Sequence, residues 1–494
     1  MRQLIFLGCF SLLASAALAD DAVVTSPSSA GGDKIIQPGD FSPKAETLPT
    51  IVIPDNPVAA KADCLPPQAV PESDADKLRK QRTQIAAKWI GSFRNTIKDT
   101  ARSGNFFSTL FTSSKQPIDT ELLGEMDSFI VLHPDMPEAA DVYLLKSQVH
   151  TRMEAYNAAA LDLLMLMTGY PDSPSFGEAS KRLSELSGDQ LKKQSSAIGL
   201  LTQKMKVLTG DHDHRVATYL ADIGTTSNDA NYAQPIATEC ALFLQSNRSF
   251  LDEDIVEHAL ARQSMLIDDR IAVYHFNKLL ALYPSSPTRP DSLLSMGNVQ
   301  RKGLKLYAQA AQSYSKLVEQ YPEAPETKAG YLSLAGMYDE DMGDYPDALK
   351  TYGAVVARYK DDPAVLQSLR NMALIYQNKT GQPAKAIETY IKLSETFKGA
   401  DALDALDKAE NIATSSTRDW TVAMNINDRI IALAPKTDAA AKAAFANAEI
   451  AELNLKDMAQ AKKLYSAVID GYPANALAKE AQKRIAAIDR QTQP

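Results

Sequence analysis

The chain holds 3 cysteines, 2 tryptophans and 6 histidines in 494 residues, and each scarcity removes a class of answer. A disulfide scaffold needs dense cysteine, and here Cys9 falls in an apolar leader, leaving Cys64 and Cys240 for one bridge at most. Cys240 reads as an unpaired thiol on a buried helix face. The formal net charge of −9, with no long Lys/Arg run, argues against a nucleic-acid partner. Beyond the leader, no apolar stretch approaches the roughly 18 residues of a spanning helix.

Catalytic and ligand-binding patterns are equally thin. There is no Gly-rich phosphate loop, no nucleophile elbow and no H-E-x-x-H. Asp211-His212-Asp213-His214 offers metal-ligand types, but alternate residues share a face only in extended chain, and after Gly210 the segment reads as a turn with a capping Asp. Asp339-Glu340-Asp341 fails as a calcium loop, because Asp344 stands sixth where Gly is needed and Lys350 twelfth where Glu is needed. His258 and His275 read as packed or surface side chains. The sequence therefore predicts no metal, no cofactor and no catalytic residue.

What is present is a period. Ala310, Tyr314, Tyr321 and Pro322 form A-x3-Y-x6-Y-P, and the pattern returns as Ala272/Phe276/Tyr283, Ala348/Tyr352/Tyr359, Ala386/Tyr390/Phe397 and Ala461/Tyr465/Tyr472. The last aromatics Tyr283, Tyr321, Tyr359 and Phe397 are spaced 38 residues apart, the mark of a helical repeat array. Thirteen residues before each Ala stands a small residue: Ala259, Gly297, Ala335, Ala373 and Ala448. Helix A, a turn and helix B make one hairpin, with Gly343-Asp344 and Gly381 with Pro383 as turn residues. Around Ala423 the unit is worn, with Asn427 and Ala434 where aromatics belong. Upstream, Tyr170-Pro171 and His133-Pro134 keep the register, whereas Leu208 and Gln245 mark helix ends without aromatic or proline. That stretch is either degenerate repeats or another helical packing.

Five regions follow. Residues 1–19 read as a signal peptide, with Arg2, an apolar core and the ending Ala17-Leu18-Ala19; Cys9 is a weak match to a lipoprotein box. Residues 20–73 are a Pro-rich disordered tether containing the apolar run Leu48–Pro54, which reads as linker or as a strand to add to a partner. Residues 74–118 hold a helix with Leu78, Ile85, Trp89 and Phe93 as its apolar stripe, then an apolar loop with Phe106, Phe107, Leu110 and Phe111. The basic flanks of that helix also suit a membrane surface, but capping the array is favoured. Residues 119–252 are the weak repeats, and 253–490 the clear array with a final capping helix. The fold class is all-α.

The order of small residue, aromatic, turn, Ala, aromatic and Pro resembles the tetratricopeptide repeat, most clearly over Glu253–Asp489. The ending Y-P-x-[AS]-P is similar to that of bacterial envelope members. The resemblance implies a right-handed α-solenoid in the periplasm, non-catalytic, binding envelope proteins or peptides in outer-membrane assembly or envelope coordination, with peripheral outer-membrane association as an option. A part in a polysaccharide-export or secretion machine is the alternative, and an α-solenoid enzyme the third reading. It also implies a groove lined by helix A, placing Asp291, Leu294, Asn298, Arg301, Leu332, Asp339, Gln367, Arg370, Gln377, Phe445, Glu449 and Glu452 against the partner. On this reading, charge reversal at Arg301 and Arg370 loosens partner capture without lowering thermal stability.

Overall fold

A computed structural model describes residues 74–102, 117–206, 208–247, 249–360 and 362–492. The leader, the tether with Cys64, and residues 103–116 of the apolar loop lie outside the described residues. Among those described there is no strand; the helices are α1 (Asp74–Arg102), α2 (Pro117–Leu132), α3 (Ala139–Arg152), α4 (Tyr156–Gly169), α5 (Phe176–Gly188), α6 (Ser195–Met205) and α7 (His212–Thr226). They continue as α8 (Ala230–Ser246), α9 (Glu253–Ser264), α10 (Asp269–Leu282), α11 (Arg289–Asn298), α12 (Tyr307–Gln320), α13 (Glu326–Gly336), α14 (Tyr345–Arg358) and α15 (Pro363–Asn378). The rest are α16 (Pro383–Thr396), α17 (Ala400–Ile412), α18 (Trp420–Leu433), α19 (Asp438–Glu449), α20 (Met458–Gly471) and α21 (Ala476–Thr492). From α9 to α21 each helix packs on the next in chain order, the arrangement of stacked hairpins.

The small residue and the first aromatic of each unit explain this stacking. Tyr314 of α12 is fully buried, and a Cβ built on Gly297 of α11 would lie 2.5 Å from its ring. Ala259, Ala335, Ala373 and Ala448 are likewise fully buried at the same register, opposite the buried Phe276, Tyr352, Tyr390 and Tyr465. Burial of each ring contributes on the order of 2–3 kcal/mol. The second aromatics do other work. Tyr283, Tyr321, Tyr359, Phe397 and Tyr472 are C-cap residues of their helices and only half-buried. Tyr283 donates its hydroxyl to Glu253 at 2.9 Å, and Tyr321 accepts from Arg289 at 2.6 Å, so each ties the end of helix B to the start of helix A in its own hairpin.

The turns repeat as faithfully as the rings. Helices α11, α13, α17 and α19 widen into π turns at Val299–Gly303, Met337–Met342, Ala413–Thr417 and Ile450–Asn454. One residue then takes positive φ: Lys305, Gly343, Gly381, Arg418 and Lys456 in successive units. Glycine carries this conformation without strain at Gly343 and Gly381, and the side chains at the other three cost about 1 kcal/mol each. Helix B starts on the following residue, where Asp344, Asp419 and Asp457 accept backbone N–H groups as N-caps.

In the worn unit the interlock is replaced by polar groups. Asn427 occupies the ring position, 2% exposed, and its amide nitrogen has no hydrogen-bond partner. Glu410 occupies the small-residue position, and burial, reinforced by Asp407, raises its pKa.

Before α9 the packing leaves nearest-neighbour order. Helix α8 packs on α2 and α4 as well as on α7 and α9, while α5 packs on α4 and α6 on both α4 and α7. The weak stretch is therefore a local bundle, and Lys146 of α3 pins it. This ammonium, 2% exposed, lies 2.6 Å from Glu239 on α8, 2.8 Å from Asp127 on α2 and 3.6 Å from Asp162 on α4. Burial alone would lower its pKa, but Glu239, Asp127 and Asp162 outweigh that and hold it well above the usual lysine value.

Helix α1 differs from its expected stripe. Its buried side chains are Ala86, Ile90 and Phe93, with Trp89 half-buried edge-on to Phe129; Leu78 and Ile85 are each 60% exposed. The spacing of seven and four residues marked a stripe rotated to one side of the true contact face. α21 is the last described helix and buries Ala478, Ala481 and Ile488, with Leu477 and Ile485 half-buried. Cys240 is fully buried in α8, and burial raises its thiol pKa.

Replacing Gly297 with Val is expected to drive a methyl group into the Tyr314 ring and destabilise the chain by about 1–3 kcal/mol in urea denaturation. Stability equal to wild type would contradict the interlock.

Candidate partner-binding groove

The faces of the A helices line up in register, and where α7, α9 and α11 meet they border an open recess of about 490 Å³. Its walls include Asp222, His258, Arg262, Thr288 and Asp291. Asp291 is held there by His258, whose Nε2 lies 2.7 Å from a carboxylate oxygen, and by Arg262 at 3.6 Å. Burial opposes ionisation of Asp291, but His258 and Arg262 more than offset it, leaving the pKa below the ordinary aspartate value.

Further along, ring hydroxyls of helix B emerge at this face. Tyr314 donates to Asn298 at 2.9 Å, Tyr352 accepts from Asn371 at 2.8 Å, and Tyr465 donates to Glu452 at 2.8 Å. The core rings thus orient the polar residues above them, although the spacing alone marked them simply as core.

The groove cations are mostly spent on joining hairpins. Arg301, 13% exposed, pairs with Asp341 and, at 2.9 Å, with Glu340, and donates to the Ser333 carbonyl. Arg370 pairs with Asp401 at 2.6 Å, and Arg484 with Glu452 at 2.8 Å. Reversing Arg301 would set three acids together at a junction between units, so it perturbs stability along with any binding. The expectation that stability would be untouched is revised accordingly.

The other expected groove residues are unequal. Gln377 is exposed, and Gln367 is exposed with its amide on Asn371 at 2.8 Å. Leu294 and Leu332 are half-buried, Leu294 packing against both the Phe276 and the Tyr314 clusters. Phe445 is 8% exposed and meets the Tyr465 ring edge-on at 5.4 Å, which makes it part of the core. Asp339 has its pKa raised by burial and by Glu340, partly offset by Lys379. Glu449 is raised by burial and by Glu452 and Glu480, against the pull of Arg484.

The inherited groove register named nothing on α17, the A helix of the worn unit. Yet Asp401, Asp404, Asp407 and Glu410 recur every three residues along it, so each lies beside the next while the row winds about 180° around the helix from Asp401 to Glu410. Burial and Asp404 raise the pKa of Asp407, with Lys442 pulling the other way. That D-x-x-D-x-x-D-x-x-E run was visible in the sequence and was obscured by the missing Tyr of its partner helix.

The histidine cluster is a helix start. Asp211 caps α7 by accepting from the His214 N–H, His212 packs on the Tyr170 ring at 4.8 Å, and His214 lies 2.8 Å from Asp252. His275 lies 2.7 Å from the buried Glu257, which also receives Lys278.

The geometry defines a stack of α-hairpins presenting one aligned helix face. Residues 291–324, spanning α11, its π turn and α12, match the tetratricopeptide repeat model. The 38-residue register carries the same ring, turn and small-residue positions into the neighbouring units. No curated protein matches the sequence. Among solved structures, the chain is similar to Naa15/Naa10 bound to HypK-THB, at 14% identity and TM-score 0.30, covering 83% of this chain and 77% of that one. It is also similar to the P58(IPK) TPR domain, at 12% identity and TM-score 0.19, covering 82% and 99%. The Cut9–Hcn1 hetero-tetramer of the APC/C gives 12% identity and TM-score 0.21, covering 74% and 80%. No property of those assemblies transfers to this chain at such scores.

Because the folded pKa of Asp291 is depressed, its contribution is present above the unfolded value of about 3.9 and lost as pH falls through the folded one. Asp291→Asn is expected to be less stable at neutral pH and to lose less stability below about pH 4. Parallel acid limbs in the two proteins, followed by circular dichroism, would contradict this.

Proposed function

We propose that the chain is a non-catalytic scaffold of the bacterial cell envelope, working in the periplasm, whose A-helix face holds a Lys/Arg-bearing segment of a partner protein. The observation that carries this reading is the acidic stretch from Asp339 to Glu449. There Asp339, Asp407, Glu410 and Glu449 all have pKa values raised by burial, with neighbouring carboxylates adding to the shift. Nearby Arg301, Arg370 and Arg484 are already engaged between hairpins. A cation from outside relieves that crowding, and charge complementarity of this kind sets partner choice and association rate. The leader-like residues 1–19 and the Y-P-x-[AS]-P endings support an envelope setting.

The test is titration of a labelled Lys/Arg-rich peptide against the full chain by fluorescence anisotropy. Asp407→Asn combined with Glu410→Gln should weaken binding about three- to tenfold and leave the melting temperature equal or higher, since both carboxylates are crowded in the fold. Undiminished binding would overturn the groove assignment. Cell fractionation checks the setting: recovery with periplasmic contents is expected, and recovery with the cytosol would contradict it.

A further inference from the structure

Between Asp76 and Ile85, α1 buries none of its apolar side chains. Every residue from Asp76 to Ile85 is exposed, and burial begins only at Ala86. Ten residues of helix with no buried face are marginal alone in water, because most helical stability in proteins comes from packing one face. This segment nevertheless has a face to pack. Leu78 and Ile85, two turns apart and each 60% exposed, line up with the half-buried Trp89.

The surrounding charge narrows what that face meets. Lys77, Arg79, Lys80, Arg82 and Lys88 stand against Asp76 alone between residues 76 and 89, in a chain whose net charge is −9. Arg82 leans on the α2–α3 turn, 3.2 Å from His133 and 3.9 Å from Asp135, which steadies the helix where it leaves the core. On a helical projection, Arg79 and Arg82 fall on one side of the Leu78–Ile85–Trp89 stripe, and Lys77 and Lys88 on the other. Like charge disfavours the same segment of a second copy. An apolar stripe between two basic borders is the pattern of a helix lying in the interface of an anionic bilayer, here with Leu78 and Ile85 below the headgroups and Lys and Arg among them, while Trp89 stays edge-on to Phe129 where the helix joins the core.

We propose that residues 76–89 form a docking helix for an anionic lipid surface, holding the hairpin array beside a membrane with its groove facing other proteins. The proposal is independent of what the groove binds.

Flotation of the full chain with phosphatidylcholine vesicles, and with equimolar phosphatidylcholine and phosphatidylglycerol vesicles, tests it. Residues 1–19 are common to every protein compared, so the readout is the excess binding to the anionic vesicles. That excess is expected for wild type and should fall with added salt. It should drop at least about tenfold in Leu78→Asp with Ile85→Asp, and comparably in Arg79→Glu with Lys88→Glu. Circular dichroism and thermal melting should be unchanged in the first pair, because both side chains are already exposed. Equal binding to both vesicle types, or excess binding retained in both variants, overturns the proposal. So does absence of flotation with binding to soluble polyglutamate instead, which would assign the helix to an acidic protein.

Discussion

The contact on which this structure depends is a ring laid against the place where a side chain is missing. Tyr314 fits α12 to α11 because Gly297 has no Cβ, and buried alanines allow the same approach in the units around it. The approach fixes how far apart the two helices of a hairpin stand. It also determines what lies above them, since the hydroxyls of Tyr314, Tyr352 and Tyr465 reach polar side chains on the A-helix face. One residue type thereby serves core packing at one end and groove order at the other, as amphipathic aromatic side chains are suited to do. Where the ring is absent, at Asn427, the opposing position admits Glu410, and the groove there becomes acidic.

Two kinds of long-range connection divide the described chain. In the array, ion pairs such as Arg301 with Glu340 and Arg370 with Asp401 link a hairpin to its immediate neighbour. Stability of such a stack is approximately a sum of local units and their interfaces. Around Lys146 the links instead join α3 to α2, α4 and α8, in a setting where desolvation is costly and removal of one partner is more so. The bundle before α9 is thus cooperative in a way the array is not. The groove cations Arg301, Arg370 and Arg484 hold junctions between hairpins.

Much of the array was legible in the sequence because it rests on spacing. Tyr283, Tyr321, Tyr359 and Phe397 mark helix ends, and Gly343 and Gly381 mark left-handed turn residues, for reasons that are local to the backbone. The packing of α8 against α2 was not legible, since Lys146 and Glu239 belong to no period. The stripe on α1 was misplaced because Leu78 and Ile85 satisfy a helical pattern without being buried. Groove residues taken from the register included Phe445, which is core, and omitted Asp407 on α17. Register locates a face, but burial and ion pairing decide which of its members are available.

The most direct measurement is amide hydrogen exchange of the full chain with and without a saturating Lys/Arg-rich peptide. The account predicts added protection along the A helices, α15, α17 and α19, with the B helices α16 and α18 unchanged. Protection confined to α16 and α18, or spread evenly over both sets, would contradict the claim that the aligned A-helix face is where this scaffold holds its partner.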